Sequence, residues 1–120
     1  MERKKPIRRR FKRCTVRLLI DYWCEGRIGS DYATTLGAGG LFIESSEPWE
    51  AGIALTVRFR LPGDDALHVI PGRVAWVHQP KQDPSGARAP GMAIEFTDNA
   101  GSATLARALE SWAEAFAAQA

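Results

Sequence analysis

The sequence predicts an all-β domain with one helix: a six-stranded antiparallel β-barrel followed by a C-terminal amphipathic α-helix. Three observations carry this expectation. About six short runs of branched and aromatic residues either alternate or are apolar on both sides, the period-two signature of strands. A single stripe of helical period ends the chain. Nothing else in the 120 residues remains to cover exposed strand edges, so the sheet is expected to close on itself.

The elements follow in order. Val16-Arg17-Leu18-Leu19-Ile20-Asp21-Tyr22-Trp23 places Val16, Leu18, Ile20 and Tyr22 on one face and reads as the first strand. Glu25-Gly26-Arg27 and Gly29-Ser30-Asp31 punctuate the next stretch, and Tyr32 to Thr35 runs extended into the cluster Gly37-Ala38-Gly39-Gly40, which reads as a loop with tight-turn glycines at positive φ. Leu41-Phe42-Ile43 is a short buried strand ended by Ser45-Ser46-Glu47-Pro48. Leu55 to Leu61 alternates strictly, with Leu55, Val57, Phe59 and Leu61 inward and Thr56, Arg58 and Arg60 outward.

Pro62-Gly63-Asp64-Asp65 is turn chemistry, because proline presets φ and Gly and Asp tolerate unusual backbone angles, so Leu67 to Val77 is expected to pair back as a hairpin. Pro71-Gly72 in that strand removes a ladder donor and a side chain, which predicts a bulge or a bend of the sort that lets a sheet curl. Gln79 to Pro90 holds three prolines without periodicity and reads as an exposed loop. Gly91 to Phe96 returns to strand character with Met92, Ile94 and Phe96 on one face. Asp98 and Ser102 are both acceptable helix caps, and Leu105, Leu109, Trp112, Ala113 and Phe116 then mark one greasy face of a helix. The expected organisation is one domain: a flexible basic arm over 1–13, a barrel over 14–98 and a packed helix over 99–120.

Charge is distributed unevenly. The arm carries eight basic side chains against the single acid Glu2, although the whole chain is only +2, so residues 14–120 hold eight basic and thirteen acidic groups. The arm is therefore a local cationic device, and its partner is an anion; the plain alternative is a solvated charge run. No stretch reaches the roughly 18 apolar residues of a membrane span, and no apolar segment follows the N-terminal charges as a secretory signal would require, so a cytoplasmic protein is expected. Cys14 and Cys24 lie on one extended segment, about 33 Å apart where a disulfide needs less than about 7 Å. They are read as reduced thiols.

Several chemistries find no support. His68 and His78 have no carboxylate or thiol at ligand spacing, so no metal site is expected. No nucleophile with a base, and no paired carboxylate, can be assembled, so the chain is read as a non-enzyme without a cofactor. The glycine cluster lacks the Lys-Ser/Thr of a P-loop. Trp23, Trp49, Trp76 and Trp112 are read as barrel and helix packing rather than as base-stacking platforms.

Taken in order, Arg9-Arg10-Phe11-Lys12-Arg13, Thr35-Leu36-Gly37-Ala38-Gly39-Gly40-Leu41-Phe42-Ile43, Leu61-Pro62-Gly63, Val74-Ala75-Trp76-Val77 and Pro90-Gly91-Met92-Ala93-Ile94-Glu95-Phe96 resemble the PilZ domain family, the bacterial receptors for cyclic di-GMP. The resemblance covers nearly the whole chain and is nearest to the short stand-alone type found in myxobacterial and related proteins. It implies a PilZ-like split barrel and two ligand motifs. The first, Arg-x-x-x-Arg, is matched by Arg9 and Arg13, with Arg10 completing its fuller form. Guanidinium suits the task because it forks onto guanine O6 and N7, stacks on purines and pairs with phosphate.

The second motif, Asp/Asn-x-Ser-x-x-Gly, is altered. With Gly40 on its final glycine, Thr35 stands where Asp or Asn is expected and Gly37 where Ser is expected. Thr35 is too short for a two-point contact to a guanine edge, and Gly37 offers only backbone. At roughly 0.5–1.5 kcal/mol per lost hydrogen bond, or up to about 3 with a charged group, affinity would fall by about tenfold to several hundredfold. The implied ligand residues are thus Arg9, Arg10, Arg13, Thr35, Gly37 and Gly40.

Three functions follow, in order of preference. The first is a cyclic di-GMP receptor whose arm orders on binding and signals to an unidentified protein partner. The second is an adaptor that has lost the ligand and acts by protein contact. The third is a nucleic-acid binder using the arm against phosphates. Monomer and homodimer are both compatible with the sequence.

Overall fold

The structure, a computed structural model, describes residues 13–79 and 89–119, with side chains described from residue 15 to residue 111 of those spans. Six strands and one helix follow in chain order: β1 (Arg13–Cys24), β2 (Arg27–Gly37), β3 (Gly40–Glu44), β4 (Ala54–Arg60), β5 (Leu67–His78), β6 (Gly91–Phe96) and α1 (Asn99–Gln119). All strand pairs are antiparallel, and the strands close into a barrel in the order β1-β2-β3-β6-β5-β4. Closure supplies each strand with two neighbours, as the lack of any covering element required.

The alternation in the sequence becomes inside and outside. Leu18, Ile20 and Tyr22 of β1, Leu55, Val57 and Phe59 of β4, Leu61 after it, and Met92, Ile94 and Phe96 of β6 are all buried in one core with Leu36, Ile43, Ile70 and Val74. The helix adds Leu105 and Leu109 to that core. Asp98 starts it, accepting from the Ala100 N–H at 3.2 Å through its carboxylate and from the Ser102 N–H at 3.0 Å through its carbonyl, so Asp98 is the cap and Ser102 lies inside the helix. The side chains of Trp112, Ala113 and Phe116, also expected on the apolar face, lie outside the described side chains, as residues 80–88 of the expected loop lie outside the described residues.

The hairpin turns obey local chemistry. Asp64 donates its N–H to the Leu61 carbonyl at 3.0 Å, with Pro62 and then Gly63 at φ 78° between them, the positions a type II turn assigns to proline and glycine. Glu25-Gly26 alone connects β1 to β2, and Cys24 pairs directly with Arg27.

The expectation that Gly29-Ser30-Asp31 interrupts the second strand is therefore corrected. Those residues pair in register with Tyr22, Asp21 and Ile20, and Gly29 is there because a methyl group at that position would overlap the Tyr22 ring. Tyr22 crosses the interior to meet Trp49 edge to face at 4.8 Å and donates its hydroxyl to Asp31 at 2.6 Å. Burial, reinforced by that carboxylate, raises the phenol well above the ordinary tyrosine range.

A second correction concerns the bulge expected as one alternative at Pro71-Gly72. Thr56 pairs with Pro71 and Leu55 with Gly72 in unbroken register, so no bulge sits there. The irregularity of β5 falls between Val74 and Trp76, against β6. Gly72 is instead a close-approach residue, since a methyl on it would lie 2.8 Å from the Glu95 carbonyl oxygen.

Candidate functional site

The backbone register gathers the expected site residues at one place. Arg13 of β1 pairs with Gly37 of β2, Gly37 with Gly40 of β3, Gly40 with Glu95 of β6, and Glu95 with Arg73 of β5. Beyond the inward row of Leu36, Leu41, Ile94 and Val74, the next outward row runs Thr15, Thr35, Phe42, Ala93 and Trp76 across the same five strands. Arg13, Thr35, Gly37 and Gly40 thus occupy two successive outward rows, although 27 positions separate the first from the last in the sequence. Arg9 and Arg10, and the rest of the basic arm before Arg13, lie outside the described residues; the arm's last residue enters β1 directly beside Gly37.

The glycine cluster works differently from the expected loop. Gly37 and Gly40 are strand residues, only Ala38 and Gly39 turn, and positive φ among the described glycines falls at Gly26, Gly52 and Gly63. Gly40 is required by proximity: a methyl group there would collide with the Ile94 carbonyl oxygen and stand 3.2 Å from its carbonyl carbon. Phe96 donates to the Gly39 carbonyl at 2.9 Å, fixing the turn to β6. The motif's final glycine therefore lets β3 and β6 approach.

Beside Gly40 the outer surface carries a depression of ≈ 190 Å³ lined by Gly40, Phe42, Ala75, Trp76, Ala93 and Glu95. Phe42 and Trp76 flank the small Ala93, their ring centroids 5.6 Å apart and their planes 34° from parallel. Trp76 is 50% exposed, which corrects its assignment to barrel packing. The cause is the irregularity in β5. Continuous alternation from the buried Val74 would turn Trp76 inward, but the extra residue Ala75 lets Trp76 pair with Ala93 and face out. No sequence signal marked that bulge.

At the edge of the depression Arg73 donates to Glu95 at 2.8 Å, with both side chains 53% exposed. Such a pair in water adds about 0–1 kcal/mol to stability, so it holds two charges in place more than it holds the fold together. A comparable pair, Arg58 with Asp21 at 2.8 Å, lies on the opposite flank. There the hydrogen bonds from Ser30 and then Arg58 keep the Asp21 carboxyl below the usual carboxylate range. Among the described residues no group of three or more His, Cys, Asp or Glu could hold a metal ion, and no helix is long and apolar enough to cross a membrane.

The site thus brings the backbone of Arg13 beside two buried glycines, next to an exposed aromatic wall and a carboxylate–guanidinium pair. Comparison with solved structures finds the same barrel elsewhere. The Bacillus subtilis inhibitor of motility (MotI/DgrA) superimposes with a TM-score of 0.66 at 18% identity, over 83% of this chain and 48% of that one, so the chain spans about half the length of that protein. The PilZ domain of CeSA from a cellulose-synthesizing bacterium gives 0.57 at 18% identity, over 82% and 97%. The PilZ domain of Escherichia coli YcgR, solved with c-di-GMP, gives 0.63 at 14% identity, over 94% and 99%.

At such identities the likeness carries the fold alone. No curated protein matches by sequence. The sequence profile of the PilZ domain does, over residues 7–113, from inside the arginine arm to the last helix, and by that span the chain belongs to the PilZ domain family.

Proposed function

We propose that this chain is a receptor for cyclic di-GMP, taking the dinucleotide between the arginines of its N-terminal arm and the outer face of the barrel and passing the bound state to a protein partner. The observation that carries this is the register: Arg13 pairs with Gly37, and Gly37 with Gly40, so the arm's last arginine starts at the very row that holds the second motif. Arg9 and Arg10 precede it by four and three residues, within reach of a ligand lying on that row. Their guanidinium groups suit the guanine edge and the two phosphates. The similarity to the YcgR PilZ domain, whose structure contains c-di-GMP, supports the ligand class.

The protein-contact half of the proposal is supported by the other flank. Leu19 pairs with Tyr32, and both are exposed, as are Ile28 and, on β5 beyond the outward Arg58 and Arg60 of β4, Leu67 and Val69, a mixed surface with apolar side chains that a partner can cover. The same surface favours a second reading, an adaptor working by protein contact alone, since Thr35 and Gly37 lack the side chains of the family motif.

Calorimetric titration of cyclic di-GMP at near-physiological salt separates the two. The receptor reading expects a Kd below about 10 μM, a binding free energy stronger than about −7 kcal/mol, that is lost in Arg9→Ala and in Arg13→Ala. Heats no larger than dilution for the unaltered chain refute it and leave the adaptor.

A further inference from the structure

The family motif is expected to place a side-chain acceptor on the guanine at Thr35 and Gly37, and neither residue can supply a two-point contact. The structure provides a carboxylate two strands further on, on β6. We infer that Glu95, held in place by Arg73, reads the Watson–Crick edge of a guanine lying against Trp76, in place of the side chain missing at Thr35. This rests on the cyclic di-GMP reading above.

Position comes first. Glu95 is the register partner of Gly40, and it is the only charged side chain among the described residues lining the depression walled by Phe42 and Trp76. Because Gly40 has no side chain, nothing on β3 stands between the second motif's row and the Glu95 carboxylate. At ≈ 190 Å³ the depression falls below the roughly 300 Å³ of a pocket for a drug-sized ligand, which suits one base rather than a whole dinucleotide. Phe42 and Trp76, with centroids 5.6 Å apart, are too close to sandwich a base, which needs about 7 Å, twice a ring contact distance. The base therefore lies on the exposed face of Trp76 with its edge toward Glu95.

Chemistry then selects the base. An ionised carboxylate is an acceptor only, with two oxygens in one plane. Guanine presents two parallel donors on its Watson–Crick edge, the ring N1–H and the exocyclic N2–H, and the match is two-point. Adenine presents an acceptor at its N1, which the carboxylate repels. Arg73 donates to one Glu95 oxygen at 2.8 Å, which fixes the plane of the carboxylate while its remaining lone pairs stay available. Arg73 is thus a positioning residue, and Glu95 the residue that sets specificity.

The test compares cyclic di-GMP with cyclic di-AMP, each titrated into the unaltered chain, Glu95→Gln, Glu95→Ala and Arg73→Ala. Glu95→Gln keeps the shape and an acceptor for Arg73 but puts a donor amide where guanine needs a second acceptor. It is expected to weaken cyclic di-GMP by about tenfold to a hundredfold, the loss of a charge-assisted contact, and, by setting a donor against adenine N1 in place of the repelling oxygen, to strengthen cyclic di-AMP, so the selectivity ratio falls by at least that factor. Glu95→Ala follows it, and Arg73→Ala gives a smaller loss in the same direction. A purely structural ion pair would weaken both nucleotides equally or neither, and either result overturns the inference. Cyclic di-GMP binding that is abolished by Arg13→Ala but keeps full strength and full guanine preference in Glu95→Gln removes the inference and leaves the receptor standing. Absence of cyclic di-GMP binding to the unaltered chain removes both.

Discussion

Gly40→Ala tests whether the second motif's glycine is first of all a packing requirement. The added methyl group would overlap the Ile94 carbonyl oxygen and sit 3.2 Å from its carbonyl carbon and 3.4 Å from the Glu95 Cα. All three obstacles are backbone, and that backbone is paired on its other side with β5, so no side-chain rotation relieves the clash. Forcing atoms into a packed site costs about 1–3 kcal/mol, and an immovable obstacle places this variant near the upper end, at about 3 kcal/mol. For a chain of this size roughly 3–6 °C of Tm is lost per kcal/mol, which predicts a fall of about 9–18 °C. Gly52→Ala is the control. It stands in open space at φ +94°, so its penalty is conformational only, about 1 kcal/mol and a few degrees. Thermal unfolding followed by circular dichroism reads both. If Gly40→Ala melts within about 3 °C of the unaltered chain, or above Gly52→Ala, the close-approach argument is refuted and the glycine must be explained by the ligand alone.

Two further outcomes are expected. Asp98→Ala removes the acceptor for the Ala100 N–H and should cost about 1 kcal/mol, while Asp98→Ser retains most of it; equal melting temperatures for the two variants would show that the carboxylate does not cap the helix. Burial draws the His68 imidazole below the usual histidine value, against an opposing pull from Asp64, and the ring stacks on Phe59 at 5.4 Å. The unfolded chain thus takes up this proton before the folded one on acidification, so stability is whole above about pH 7 and falls as pH drops through about 6.5. Urea unfolding across pH 7.5 to 5.5 should show that fall in the unaltered chain and a shallower one in His68→Phe, and identical slopes would refute the assignment.

How much was legible in advance differs from element to element. The β4 alternation, Leu55 to Leu61, was transparent because neighbouring side chains on a strand point to opposite faces whatever the partner strand does. Gly63 was equally plain, and the helix start was narrowed to Asp98 or Ser102, since turns and caps are satisfied within a few residues. Arg9, Arg10 and Arg13 stood out by composition and motif. Gly29 was misjudged as punctuation because its reason, the Tyr22 ring on the facing strand, is seven positions away in sequence and in contact only after pairing.

Trp76 is the instructive failure. Read by period two it belongs inside, and one unmarked extra residue, Ala75, turns it out beside Phe42 and Glu95. By itself the sequence determined the barrel, its following helix, the concentration of basic residues before Cys14 and the two altered positions of the second motif, because each depends on local pattern or residue type. Only the tertiary structure decided that Arg13, Gly37, Gly40, Glu95 and Arg73 form one row and that an aromatic wall stands beside it. Those relations are set by register between strands, and register is a property of pairs of segments that neither segment carries alone.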